Sequence, residues 1–191
     1  MKILFSRIFL FGLVLGAFGC TGLEPIETRE AIYGKASPLI HKSYAASQIR
    51  PGDTWKVYLL ASDPDGDMKN IVCTIDQPGV GIYPASLTRI AEGQREEVSG
   101  FLYLNTQGFE NLAFVPLTLT IQIQDMAGHF SPPAAFSLLL SPTGQNQPPP
   151  PEAFPEVNLG PIMIRLRTIQ QDMIPPFDRG IFFRDGSRRE P

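Results

Sequence analysis

Short runs of alternating apolar and polar residues fill the central part of the chain. The clearest is Leu117–Gln124, in which every second residue is apolar and the residues between are Thr or Gln. A period of two is typical of a β-strand with one buried and one wetted face. Thr54–Ser62 and Asn70–Ile75 have alternating faces and predict two further strands. Further strands are predicted near Leu39–Gln48, at Gly81–Leu87 as a short edge strand, at the strongly apolar Val98–Asn105, and at Ala134–Leu140 after two prolines.

This spacing predicts the fold class. About seven short strands follow one another in roughly 100 residues, separated by Pro, Gly and Asp rather than by helical stretches. The pattern favours an all-β fold, a single antiparallel β-sandwich over residues 37–142, rather than an α/β fold. Trp55 falls on the second predicted strand and no Cys pair can bridge the sheets within this range, so the signature of a true immunoglobulin domain is missing.

The N-terminus carries a targeting pattern. Lys2 and Arg7 precede an apolar run over residues 8–18, which predicts a signal peptide at residues 1–19. The run is too short for a comfortable membrane span, which needs about 20 residues. Residues 17–20 (AFGC) resemble the lipobox of bacterial lipoproteins, although Ala17 stands where that family usually has Leu. The resemblance implies that Cys20 is acylated and becomes the membrane-held N-terminus.

The location follows from this segment. We expect a lipid-anchored protein of the cell envelope, tethered by residues 20–36. Thr21 stands where an Asp would resemble an inner-membrane retention signal. The outer membrane is therefore favoured if the source has one. The alternative is ordinary cleavage, which would release a soluble secreted or periplasmic protein.

Charge excludes one class of partner. The chain has 16 Lys+Arg and 19 Asp+Glu, and residues 1–19 contain two of the bases and no acid, so the mature chain has a net charge of −5. Nucleic-acid binding needs a concentrated basic surface, and we expect none here. If Cys20 carries lipid, Cys73 has no disulfide partner, and its alternation with Ile71 and Ile75 predicts a buried core residue.

Two acidic turns carry a resemblance to known modules. Residues 61–67 (ASDPDGD) and 124–131 (QDMAGHFS) resemble strand-ending turns of bacterial immunoglobulin-like, cadherin-like and fibronectin-type-III-like modules. The resemblance covers about residues 38–141. It implies a single immunoglobulin-like β-sandwich with a binding or spacing role and no catalytic residues.

These turns suggest a metal site. In such a topology they lie at the same end of the sandwich, so Asp63, Asp65, Asp67 and Asp125 are expected to cluster. Carboxylate oxygens suit Ca²⁺, which makes calcium the one candidate cofactor. The alternative is that the Asp and Gly residues form the turns and bind their own backbone amides.

Catalysis is not expected. His41 and His129 are the only histidines, and His129 lies close to Asp125 in sequence. The chain has no nucleophile elbow, no Gly-rich phosphate loop and no recognisable zinc spacing. We therefore predict that the protein is not an enzyme and that His129 is a solvent-facing loop residue.

The C-terminal part contains features that a simple sandwich does not need. Residues 143–151 are rich in Pro and predict a semi-rigid spacer. Residues 152–191 predict a tail, partly extended or disordered, in which Ile162, Ile164 and Leu166 alternate as in a strand. A lone strand is unstable in water, so this one must pair with the sandwich edge or with a partner's edge. Together with Phe182 and Phe183, these residues are the candidate partner-binding set.

These observations predict a membrane-anchored, non-catalytic structural or protein-interaction module. Its expected partners are the membrane, through the N-terminal lipid, and another envelope protein. The alternative is a module that binds calcium or a glycan at the cell surface or in the periplasm. A glycan site usually displays aromatic rings, whereas Trp55 fits the core.

Overall fold

The computed structural model describes residues 24–108 and 112–167. The predicted signal peptide, Cys20 and the pair Phe182 and Phe183 lie outside these ranges. Within them, two β-sheets pack face to face around one hydrophobic core. The predicted all-β sandwich is confirmed.

Ten strands form the two sheets of the described chain. The first sheet has the order β1 (Leu39–Ala45), β3 (Thr54–Ser62), β7 (Glu97–Asn105) and β10 (Asn158–Pro161). The second has the order β2 (Gln48–Ile49), β9 (Ala134–Leu140), β8 (Pro116–Asp125), β4 (Met68–Gln77) and β5 (Gly81–Ile82), with β6 (Ser86–Arg89) also paired to β4.

Strand direction is mixed rather than purely antiparallel. The long central pairs are antiparallel, including β3 with β7 and β4 with β8. The short strands β2 and β10 run parallel to β9 and β7, respectively. Each of these parallel partners is reached through a long stretch of chain, as parallel pairing requires.

The core is built by the residues whose alternation predicts it. On β8, Leu117, Leu119, Ile121 and Ile123 are all buried. Trp55, Val57 and Leu59 on β3, and Ile71, Cys73 and Ile75 on β4, are buried in the same cluster. Burial raises the pKa of the Cys73 thiol to about 12, which makes it an inert core residue.

A short helix, α1 (Ile26–Tyr33), precedes the sandwich. The sequence predicts only a tether here, because the segment has no apolar stripe. In the structure, none of the helix residues is buried. Polar side chains of α1 hold it against the sandwich instead. No helix in the described part of the chain is both long and apolar enough to cross a membrane.

The Pro-rich segment lies against the sandwich. The side-chain amide of Asn146 donates to the Thr54 carbonyl at 3.2 Å, and the Tyr44 hydroxyl donates to the Gln147 carbonyl at 3.3 Å. Further along, Phe154 packs on Tyr58, with ring centroids 5.6 Å apart. The segment predicted as a spacer is therefore the first part of a C-terminal strap, residues 144–167, along the first sheet.

The strap approaches β7 very closely at one glycine. The amide of Phe101 donates to the Val157 carbonyl at 2.8 Å. A Cβ added to the neighbouring Gly100, which has a φ of +153°, would lie 2.3 Å from that same carbonyl oxygen. Only glycine allows the strap to lie this close to the sheet.

The end of the strap seals the gap between the two sheets. Ile162 donates from its amide to the Tyr103 carbonyl of the first sheet, and Met163 donates to Ser86 Oγ of the second, both at 2.8 Å. Ile162, Ile164 and Leu166 are buried in the core, and the residues between them are exposed. These three side chains are therefore not available to a partner's strand, which corrects their prediction as partner-binding residues. The physical reason is that the chain's own open edge is the nearest apolar surface.

Candidate functional site

The two acidic turns meet at one end of the sandwich. The first connects the end of β3 to the start of β4, and the second follows the end of β8. Met68 on β4 stands opposite Asp125 on β8, so the start of one strand lies beside the end of the other. This antiparallel register brings the turns together, as the sequence analysis expects.

Three of the four predicted aspartates form a buried cluster. Asp63, Asp67 and Asp125 are 1%, 7% and 1% exposed. Each offers a carboxylate oxygen, and these oxygens all lie within 4.8 Å of one another. The fourth, Asp65, is exposed and does not join them, because its Oδ2 accepts a hydrogen bond from the Ala36 amide at 2.7 Å.

Backbone amides orient the three carboxylates. Asp63 Oδ1 accepts from the Asp65 amide at 3.0 Å, and Asp67 Oδ2 accepts from the Met126 amide at 3.2 Å. Asp125 Oδ1 accepts from the amides of Gly128 and His129. The bonds within the turns, to Asp63 and to Asp125, are the turn chemistry expected as the alternative to metal binding, whereas the bond from Met126 to Asp67 joins the two turns.

Hydrogen bonds from backbone amides satisfy only some of the carboxylate oxygens in the cluster. Asp63 Oδ2 and Asp67 Oδ1 are buried and have no hydrogen-bond partner. Burial, followed by the charges of Asp67 and Asp125, raises the pKa of Asp63 to about 6. Burial and the neighbouring Asp125 also raise the pKa of Asp67. An unpaired buried carboxylate is costly, so these two oxygens need a counter-charge or a proton.

His129 lies in the same end and is not a solvent-facing residue. Its side chain is 16% exposed and lies between two carboxylates: Nδ1 is 2.8 Å from Asp125 Oδ2, and Nε2 is 3.2 Å from Glu30 Oε1 on α1. The hydrogen bonds with Glu30 and then Asp125 raise the pKa of His129. The expectation of a solvent-exposed imidazole is therefore wrong. Glu30 is 99 residues away in sequence, and nothing in α1 signals the contact.

A second contact joins α1 to this end. The Arg29 guanidinium lies against Gly128, where an added Cβ would come within 2.7 Å of Nη1 and where φ is +103°. The positive φ favours glycine at this position of the second turn, and the absence of a side chain leaves room for the Arg29 guanidinium. We call this assembly of two turns and α1 the acidic end of the sandwich.

Comparisons with known proteins add little. No family model matches the chain, and no curated protein does. A solved structure with some similarity is the PKD domain of an M14-like peptidase from Thermoplasmatales archaeon SCGC AB-540-F20. It is 16% identical, with a TM-score of 0.35, over 56% of this chain and 97% of that domain. A similarity this distant indicates no function.

Proposed function

We propose that the protein is a membrane-tethered, non-catalytic β-sandwich of the bacterial cell envelope that holds a C-terminal segment away from its anchor and presents it to another envelope protein. The observation that supports this proposal is the placement of the two ends of the described chain. They leave the sandwich at opposite ends.

The N-terminal side leads to the acidic end. Cys20 and Glu24 are four residue steps apart, so the chain between them can span at most about 14 Å. Helix α1 begins at Ile26 and contacts the acidic end through Arg29 and Glu30. A lipid on Cys20 would therefore hold the acidic end close to the bilayer.

The C-terminal side leads to the other end. The amide of Arg167 donates to the Tyr83 hydroxyl at 2.7 Å, and its carbonyl accepts from Gln77 Nε2 at 2.8 Å. Gln77 is the last residue of β4, whose first residue, Met68, lies at the acidic end. A strand of 10 residues spans roughly 33 Å, so the sandwich separates the tether from the segment after Arg167 by about this distance.

The histidine geometry supports a non-catalytic role. A general base needs a ring nitrogen that can reach a substrate proton. Both ring nitrogens of His129 are instead engaged by carboxylates, Asp125 and Glu30. The imidazole joins a helix to a turn.

Acylation is tested by mass and fractionation. We expect the full-length protein in the membrane fraction, with the mass of a lipid-modified N-terminal cysteine, and Cys20→Ser in the soluble fraction. Cys73→Ala removes the other thiol without burying a hydroxyl group, so it is the matched control and should fractionate like the wild type. An unmodified, soluble wild-type protein would refute the tether.

Partner binding is tested by truncating the chain after Arg167, which keeps every core residue that the structure describes. We expect this truncation, and Phe182→Ala combined with Phe183→Ala, to abolish a specific cross-linked adduct in intact envelopes. The adduct should persist in Met163→Ala, which changes an exposed strap residue. Identical cross-linking by all these variants would contradict the proposed role of the C-terminal segment.

A further inference from the structure

We propose that Asp63, Asp67 and Asp125 bind a calcium ion that ties the two turns of the acidic end together. The inference rests on two independent observations. Three buried carboxylates from two different turns converge. Within them, Asp63 Oδ2 and Asp67 Oδ1 are buried without any hydrogen-bond partner.

The spacing of the oxygens fits this ion. Calcium takes oxygen ligands at about 2.3–2.6 Å, so two ligands of one ion can lie up to about 5 Å apart. One oxygen from each of the three aspartates lies within 4.8 Å of the others. The remaining positions of a coordination shell of 6–8 oxygens would be filled by water and by further carboxylate oxygens.

The distribution of hydrogen bonds over the Asp63 and Asp67 oxygens also fits a calcium site. Backbone amides hold one oxygen each of Asp63 and Asp67, which fixes the orientation of both carboxylates. The other oxygen of each is left without a donor. Hydrogen-bonded carboxylates of this kind are typical of ligands that are oriented before the ion binds.

The cationic side chains nearby do not serve these oxygens. His129 contacts Asp125 and Glu30, and Arg29 lies against Gly128. Arg95, whose carbonyl accepts from the Met68 amide, pairs with Glu92, so none of these three cationic residues forms an ion pair with Asp63 or Asp67. All-oxygen ligands favour Ca²⁺ or Mg²⁺ over transition metals. We propose calcium rather than magnesium because magnesium demands near-ideal octahedral geometry and sheds its water reluctantly.

The competing explanation is a proton shared between Asp63 and Asp67. It also relieves the repulsion between two buried carboxylates. The two explanations predict different effects of Asp63→Asn, on the stability of the fold for the shared proton and on the affinity for calcium for the metal site. An amide can donate to Asp67 in place of the shared proton and stabilise the fold, whereas it is a neutral, weaker ligand for calcium.

The test uses the full-length protein in detergent, stripped with EDTA and titrated with CaCl₂ at pH 7.5. We expect calorimetry to show one site per chain. At a free calcium concentration about one hundred times Kd, Tm should rise by about 5–10 °C. Asp63→Asn and Asp67→Asn should each weaken calcium binding at least tenfold. Asp65→Asn is the matched control from the same turn and should bind within twofold of the wild type, because Asp65 points to Ala36.

Three outcomes would overturn calcium binding or this set of ligands. Absence of binding heat and of a Tm shift for the wild-type protein at millimolar calcium would overturn the proposal, whether or not the variants fold. Binding that Asp65→Asn loses and Asp63→Asn and Asp67→Asn keep would overturn this ligand set. A higher Tm for Asp63→Asn than for the calcium-free wild type, without calcium binding by the wild type, would establish the shared proton instead.

Discussion

The strap and the acidic end each close an opening between the two sheets, but they do so with different chemistry. The strap inserts Ile162, Ile164 and Leu166, and its polar backbone groups find partners in both sheets. The acidic end brings in carboxylates, of which Asp63 and Asp67 keep one buried oxygen each without a partner. One closure is complete within the chain, and the other leaves charge to be compensated.

The strap is a structural closure, whereas the acidic end is a closure that can respond to its surroundings. Burial of apolar side chains stabilises a fold with little dependence on pH or ions. Buried carboxylates stabilise or destabilise it according to what neutralises them. The strap should therefore behave as part of the core, while the acidic end should respond to conditions.

The largest expected effect is on the strap. Leu166→Ala removes a buried side chain from the core cluster and leaves a cavity, which should lower the free energy of unfolding by about 2–5 kcal/mol. Met163→Ala, three residues earlier on the exposed face at 75% exposure, should cost less than about 0.5 kcal/mol. Denaturant unfolding of both variants measures this difference. Equal, small effects would mean that the strap is not part of the core in solution.

A smaller effect is expected where α1 contacts the acidic end. Glu30→Gln weakens the charged hydrogen bond to His129, which is worth about 1.5–3 kcal/mol when intact. Because α1 buries none of its residues, the loss should appear as faster amide exchange over 26–33, roughly tenfold, rather than as global unfolding. Glu27→Gln on the same helix changes an exposed residue and should leave exchange unchanged. Exchange equally fast in both variants would show that His129 does not hold the helix.

The two regions also differ in how far the sequence could predict them. The bounds of β3 match the predicted range because alternation is a local property of the chain, and those of β9 match because Pro132 and Pro133 mark its start. The clustering of Asp63, Asp67 and Asp125 is also predictable, since turn residues and strand order fix it. The position of Asp65 is not, because its carboxylate accepts a hydrogen bond from the Ala36 amide, 29 residues earlier in the chain.

Contacts between distant segments account for what the sequence could not predict. The link from Glu30 to His129 joins residues 99 positions apart through polar groups, which leave no periodic pattern. The alternation at Ile162, Ile164 and Leu166 correctly predicts one buried face. It does not show whether the chain's own sandwich or a partner protein buries that face. The Pro-rich segment packs because Tyr58 on the outer face of β3 receives Phe154, a contact that composition alone does not reveal.

The smallest expected effect concerns the polar contacts that pin the middle of the strap. Hydrogen bonds from Lys56 and then Tyr58 lower the pKa of Glu156. A carboxyl whose pKa is lower in the folded state adds stability above its unfolded pKa, near 4.5, and loses that stability as the pH falls through the folded value. Glu156→Gln should therefore flatten the acid side of the stability profile by less than about 1 kcal/mol, because the pair is largely exposed. Glu152→Gln, a strap residue outside this pair, is the control, and denaturant midpoints from pH 3 to 7 are the measurement. If Glu156→Gln lowered stability as much as Leu166→Ala, polar contacts rather than apolar burial would be holding the strap, and the contrast between the two closures would fail.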